Sequence, residues 1–131
     1  KLASNAVKVT VIITSLENRT GLAADSTGVK AEGARFKIDT TGLKSVTLRA
    51  SWTASNSDST TAIELYDVSA GAVRGSVSGN TGTDVETSID PGSLVSGNLH
   101  ELRVNVTTAS GTSGATTDCL YAVLELVYGF S

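Results

Sequence analysis

The sequence predicts an all-β fold: a two-sheet antiparallel β-sandwich, jelly-roll-like, of about eight strands in one domain. Three observations carry this. The run Asp118 to Tyr128 alternates with period two, Leu120, Ala122, Leu124 and Leu126 on one parity and Cys119, Tyr121, Val123, Glu125 and Val127 on the other. The run His100 to Val106 does the same, placing His100, Leu102, Val104 and Val106 inward and Glu101, Arg103 and Asn105 outward, and is expected to pair beside the last strand. Glycine, serine and asparagine turns separate such runs throughout, and no segment carries a helical period.

In chain order, Lys1 to Ala6 is small and polar and is expected to lack order unless something pins it. Val7, Val9, Val11 and Ile13 then alternate with Lys8, Thr10, Ile12 and Thr14, a β-branched strand whose polar face is interrupted by Ile12. Ser15 to Gly33 has no period and reads as a long connection with a short strand near Gly28 to Ala31. Phe36 and Ile38 point inward in the next short strand. After the turn at Thr40 to Gly42, the run Ser45 to Ala54 turns Val46, Leu48, Ala50 and Trp52 inward. Ala62 to Val68 follows, with Ile63 and Leu65 on one face and Glu64 and Tyr66 on the other. Val73 to Val77 and Asp84 to Ile89 are shorter strands joined by a hairpin-type signal, Asn80-Thr81-Gly82, and Asp90-Pro91-Gly92 is a strong turn. A flexible tip at Ala109 to Ala115 precedes the final strand.

Composition narrows the function classes. With 131 residues the chain is the size of one domain, 1–131, able to bury a single core. The net charge of −3 and the scattering of ten Lys and Arg residues argue against nucleic acid. Charged residues are only 18%, methionine is absent and the loops are rich in Ser, Thr, Gly and Asn, which points to an extracellular setting. The chain begins at Lys1, an end expected from proteolysis or from design, because initiator methionine is normally removed only before a small residue. No stretch reaches the ~18 apolar residues of a membrane span. A single cysteine, Cys119, makes no internal disulfide; a free thiol or an intermolecular bridge is open to it, and its expected place is a semi-buried strand position.

No chemistry-bearing motif stands out, and neither catalysis nor a cofactor is expected. The one histidine, His100, lacks a serine in the nucleophile-elbow context, since Val77 occupies the centre of Gly75 to Gly79. One His and one Cys are too few for zinc. Asn56 with Asp58, and Asp84 with Glu86 and Asp90, supply loop oxygens but match no established calcium loop. Glu64, Asp67, Glu86 and Glu101 are expected to be ordinary exposed strand carboxylates, and a glycosidase pair would have to be drawn from them. Asn18 and Asn105 open the triplets Asn18-Arg19-Thr20 and Asn105-Val106-Thr107, glycan acceptors in a secreted protein and both expected to face solvent.

The apolar excess says more. Ile12 in the first strand and Tyr121, Val123 and Val127 in the last occupy faces that should be wet, so those faces are expected to be covered by a neighbouring subunit or a crossing segment. Val7, Val9, Val11, Ile12 and Ile13, in a strand that follows a polar tail, also suit donation of that strand to the next subunit, with 1–14 as the exchanged piece. Tyr66 and Tyr121 suit a sugar-binding aromatic patch if their strands are neighbours, aided by the loops Ser55 to Thr61 and Gly79 to Asp84.

The strand set Thr47 to Ala50, Ile63 to Asp67, His100 to Val104 and Leu120 to Leu126 resembles the jelly-roll-like sandwich modules of archaeal and phage surface, filament and virion proteins. The resemblance implies a structural subunit that associates with itself, outside the cell or in a virion. The competing reading is a carbohydrate-binding module or adhesin domain, with glycans as partners.

Overall fold

The alternating segments form nine strands, and the computed structural model of the chain describes residues 7 to 130. The strands are β1 (Val7–Ala23), β2 (Gly28–Glu32), β3 (Phe36–Lys37), β4 (Leu43–Ala54), β5 (Thr60–Asp67), β6 (Ala72–Gly79), β7 (Gly82–Ile89), β8 (Leu99–Thr108) and β9 (Thr116–Phe130). They make two antiparallel sheets: four strands in the order β1-β9-β4-β7, and five in the order β2-β8-β5-β6 with β3 also paired to β8. The expected sandwich is therefore present. The expectation for Lys1 to Ala6 lies outside the described residues.

The core sits between the sheets. Leu48, Ala50, Trp52, Ala122 and Leu124 come from one sheet and Ile63, Leu65, Leu102 and Val104 from the other, all at most 1% exposed. Burial of a large aliphatic or aromatic side chain contributes about 1.5–3 kcal/mol, so this interior supplies the main driving force in a fold without crosslinks. Trp52 is anchored as well as packed, its Nε1 donating to the Gly79 carbonyl at 3.2 Å.

Several expectations give way. The last strand and the His100 run do not pair: β9 lies between β1 and β4, while β8 lies in the other sheet between β2 and β5. The intervening tip is a crossover between layers, tied down by Ser110 N donating to Ala24 O at 2.9 Å and Ala24 N to Ala115 O at 2.8 Å. Asn80 to Gly82 is likewise a corner between sheets and not a hairpin. The Asn80 amide holds it by donating to the carbonyls of Asn56 and Ser59, each at 2.8 Å. The first strand does not stop at Thr14 but runs to Ala23 along β9. Register shifts between Ile13 and Leu16 and between Arg19 and Leu22, with Asn18 (φ 37°) and Gly21 (φ 66°) left-handed, erase the period that would have shown it. Leu120 faces solvent, 50% exposed, because Tyr121 pairs with Ser51 and Cys119 with Trp52, leaving Leu120 as an extra bulged residue. Cys119 turns inward in its place.

Candidate assembly surface

The residues expected at an interface divide between two surfaces of the four-stranded sheet. On its outer face, cross-strand rows read Thr10–Val127–Ser45, then Ile12–Glu125–Thr47–Ser88, then Val123–Arg49–Glu86, then Glu17–Tyr121–Ser51. Ile12, Tyr121, Val123 and Val127 thus share one face, as their parity implied. Ile12 is 50% exposed and the other three are half-buried. Among the described residues no third layer crosses this face. The charged pair on it, Arg49 and Glu86 at 2.8 Å, is exposed and worth little by itself.

The second surface is an inner one. Ile13 is half-buried against the core, but Val11, Val9 and Val7, opposite Leu126, Tyr128 and Phe130, extend the same apolar ladder past the cover of the five-stranded sheet. Val7, Val9 and Phe130 are 44–46% exposed. A groove of about 350 Å³ opens here, lined by Val9, Val11, Asp39, Thr41, Tyr128 and Phe130. Its floor is firm: the Tyr128 hydroxyl donates to the Asp39 carbonyl at 2.7 Å, and the Tyr128 and Phe130 rings stack at 6.3 Å. Partial burial raises the Tyr128 phenol above its usual range, and Asp39 adds to this. The backbone N–H of Thr41, 2.9 Å from Oδ1, holds the Asp39 carboxyl below its usual range.

Other predicted positions fall elsewhere. Tyr66 lies on the five-stranded sheet and Tyr121 on the four-stranded one, so the two cannot form one aromatic patch. Tyr66 is also capped, with the Arg103 guanidinium 3.6 Å above its ring and Arg103 Nε donating to Glu64 Oε1 at 2.8 Å. The loops Ser55 to Thr61 and Gly79 to Asp84 do meet, through the Asn80 bonds. Asn18 is exposed, but Asn105 is half-buried and its amide donates to Glu64 at 3.5 Å, short of the open position expected. Glu101, expected on a wet face, is 3% exposed and titrates above its usual range because of burial, then its Glu32 neighbour, opposed by Arg35.

The polar cluster that sequence reasoning missed centres on Asp67, wholly buried at the end of β5. Its carboxylate accepts from Arg74 Nη2 (2.8 Å) and Nε (3.1 Å), from the Ala70 N–H (2.9 Å) and from the Asn98 amide (3.1 Å to Oδ2). Burial pushes the Asp67 carboxyl up, but these donors outweigh it and hold it at about 2. His100 packs beside it, Nε2 being 3.8 Å from Asp67 Oδ2 without a hydrogen-bond partner, while Nδ1 donates to the Asn98 carbonyl at 2.9 Å. The cluster welds the β5–β6 turn to the start of β8. The inward parity of Asp67, two residues after Leu65, was its one trace in the sequence. Cys119 is buried, and that burial pushes its thiol up to about 11.

No protein-family model and no curated protein matches the chain. Solved structures do. The chain overlays on that of the infectious bursal disease virus Gx strain with a TM-score of 0.59 at 14% identity, over 93% of this chain and 32% of the viral one. A subviral particle of the same virus's VP2 gives 0.54 at 11% identity, over 94% and 33%. This chain thus spans about a third of the viral chains. At these identities the likeness shows the sandwich fold alone, and it supplies a viral but no archaeal counterpart for the expected resemblance. A subunit of Bacillus endospore appendages, described as disulfide-linked pili, covers 95% of this chain and 88% of its own at 13% identity; its TM-score of 0.39 is too low to argue from.

Proposed function

We propose that the chain is a structural subunit that associates with copies of itself, in an extracellular filament or a virion, through the faces of its terminal strands. The observation that carries this reading is the set of four apolar side chains, Ile12, Tyr121, Val123 and Val127, that lie on adjacent strands among polar neighbours on the outer face of the four-stranded sheet, with no covering layer among the described residues. Burying such a face against a neighbour gains the free energy that water exposure forfeits. The fold shared with a virus particle's chain is compatible with this role. A donated first strand is not required, because β1 already fills the β9 edge of its own chain, and assembly through faces and open edges needs no exchange.

The test is the native particle mass by light scattering, with negative-stain microscopy of the same sample, for the parent and for Ile12→Asp and Val127→Asp. Multimers are expected for the parent and their loss in the variants, with the far-ultraviolet circular dichroism of the fold retained. A parent that is monomeric at all concentrations, or assembly that survives both substitutions unchanged, overturns the proposal.

A further inference from the structure

Every strand at the rim of a sheet offers unpaired backbone groups, and folded proteins normally blunt such edges with bulges, charges or brevity. Most edges here are blunted. β2 is five residues long and its register shifts between Val29 and Ala31. β6 shifts opposite Leu65 and Tyr66, beside Arg74. β7 shifts near Asp84, which has φ 48°, and carries Glu86. The second half of β1 has two register shifts.

Of these devices the first half of β1 has only a single charge, with no bulge. Val7 to Ile13 pairs with β9 residue for residue, from Val7–Phe130 to Ile13–Leu124, with one charge, Lys8, and β-branched residues at six of its seven positions. Among the described residues its other edge is open, since β1 is the terminal strand of its sheet.

We propose that this edge pairs antiparallel with the same edge of a second copy, about a two-fold axis through Thr10. The inference rests on the self-associating reading above and names one of its contacts. Thr10 is the midpoint of the regular segment, so this register alone pairs all of it: Val7 with Ile13, Lys8 with Ile12, Val9 with Val11, and Thr10 with its own copy. Side chains stay face-matched, and the apolar inner ladder runs on from one copy into the other.

Charge selects the occupant. Within its own chain Lys8 lies opposite Gly129, whereas Ile12 lies opposite Glu125. In the paired dimer the row across the outer face reads Glu125–Ile12–Lys8, the lysine coming from the second copy. Two strand spacings of ~4.8 Å are within reach of a lysine stem laid over Ile12. Each copy thus supplies the cation for the other's carboxylate, twice by symmetry, and no like charges face one another. The antiparallel sense also sets the uncovered Val7 end of one copy beside the covered Ile13 end of the other. The eight strands of the two four-stranded sheets become one continuous sheet.

The experiment uses single cysteines in the full chain, with buried Cys119 left in place, oxidised in a glutathione buffer and read on non-reducing gels. Residues directly opposite across antiparallel strands have Cβ atoms about 4.5–5.5 Å apart, close enough to bridge with a small shift. Thr10→Cys is expected to form a disulfide-linked dimer. Lys8→Cys is not, because the two copies of position 8 lie four residues apart along the strand, about 13 Å. An equimolar mixture of Lys8→Cys and Ile12→Cys is expected to give the mixed dimer. Lys8→Glu should weaken dimerisation of the parent about tenfold, and Glu125→Lys in the same chain should restore it. A Thr10→Cys chain that stays monomeric, or crosslinks no better than Lys8→Cys, overturns the inference. If large particles persist in that case, only this contact falls and the self-assembling role stands; if the parent is monomeric throughout, both fall.

Discussion

Replacing Asp67 by asparagine removes the charge around which one end of the sandwich is tied. Arg74, whose side chain is only 21% exposed, loses the carboxylate that accepts both of its N–H donors, while the Ala70 N–H can still bond to the remaining carbonyl oxygen. Breaking a buried ion pair by removing one partner costs about 3–5 kcal/mol. Arg74 retains a route to water, so the low end applies, about 3 kcal/mol at pH 7. The pH dependence gives a second handle. The folded carboxyl titrates at about 2, below its ordinary 3.8, so its contribution is fully present above pH 4 and is lost as pH falls through 2. A depression of that size corresponds to about 2 kcal/mol. Urea unfolding of parent and Asp67→Asn at pH 7, 4 and 2 measures both quantities. The gap between the two proteins should be about 3 kcal/mol at pH 7 and close by about 2 kcal/mol towards pH 2, with an unchanged denaturant slope. A gap below 1 kcal/mol at pH 7, or one that does not narrow in acid, would refute the assignment of Asp67 as a stabilising buried anion.

Two further outcomes follow from packing. A Cβ on Gly82 would lie 2.6 Å from Trp52 Cη2 and 2.8 Å from Val85 Cγ2, and the buried indole cannot yield. Gly82→Ala should therefore cost about 1–3 kcal/mol, while Gly111→Ala, with no atom within 4 Å, should be neutral or stabilise by up to about 1 kcal/mol; thermal unfolding compares the two. Cys119, with no exposed surface and a thiol titrating at about 11, should resist alkylation by iodoacetamide at pH 8 in the native state and react on unfolding, as mass spectrometry will show.

The faces of the strands were legible where the ladder is regular. Ile63 and Leu65, then Leu102, Val104 and Val106, and Val46, Leu48 and Ala50 are all buried as their parity says, because alternation follows directly from the extended backbone. Ile12, Val123 and Val127 were legible for the same reason and do share one outer face. Leu120 was misread because a bulge adds a residue without leaving a mark in the hydrophobic pattern. The second half of β1 was misread because Asn18 and Gly21, residues that usually signal a loop, here bend a strand that stays paired. The apolar groove at Tyr128 and Phe130 could not be read, since its exposure depends on where the opposite sheet ends.

The sequence by itself determined that the chain is all-β, which side chains of the regular strand segments enter the core, and that apolar residues remain on its terminal strands. These properties are local, set by period and by turn chemistry. Only the tertiary structure decided which strands are neighbours. Period two specifies a face but carries no address for the partner, so β8 and β9, adjacent in sequence and alike in pattern, went to opposite sheets. The same assignment put Tyr66 and Tyr121 on opposite outer faces and closed a buried anion site around Asp67. It also left β1 at the rim, with its regular half guarded by Lys8 alone and its valines beyond the cover of the second sheet.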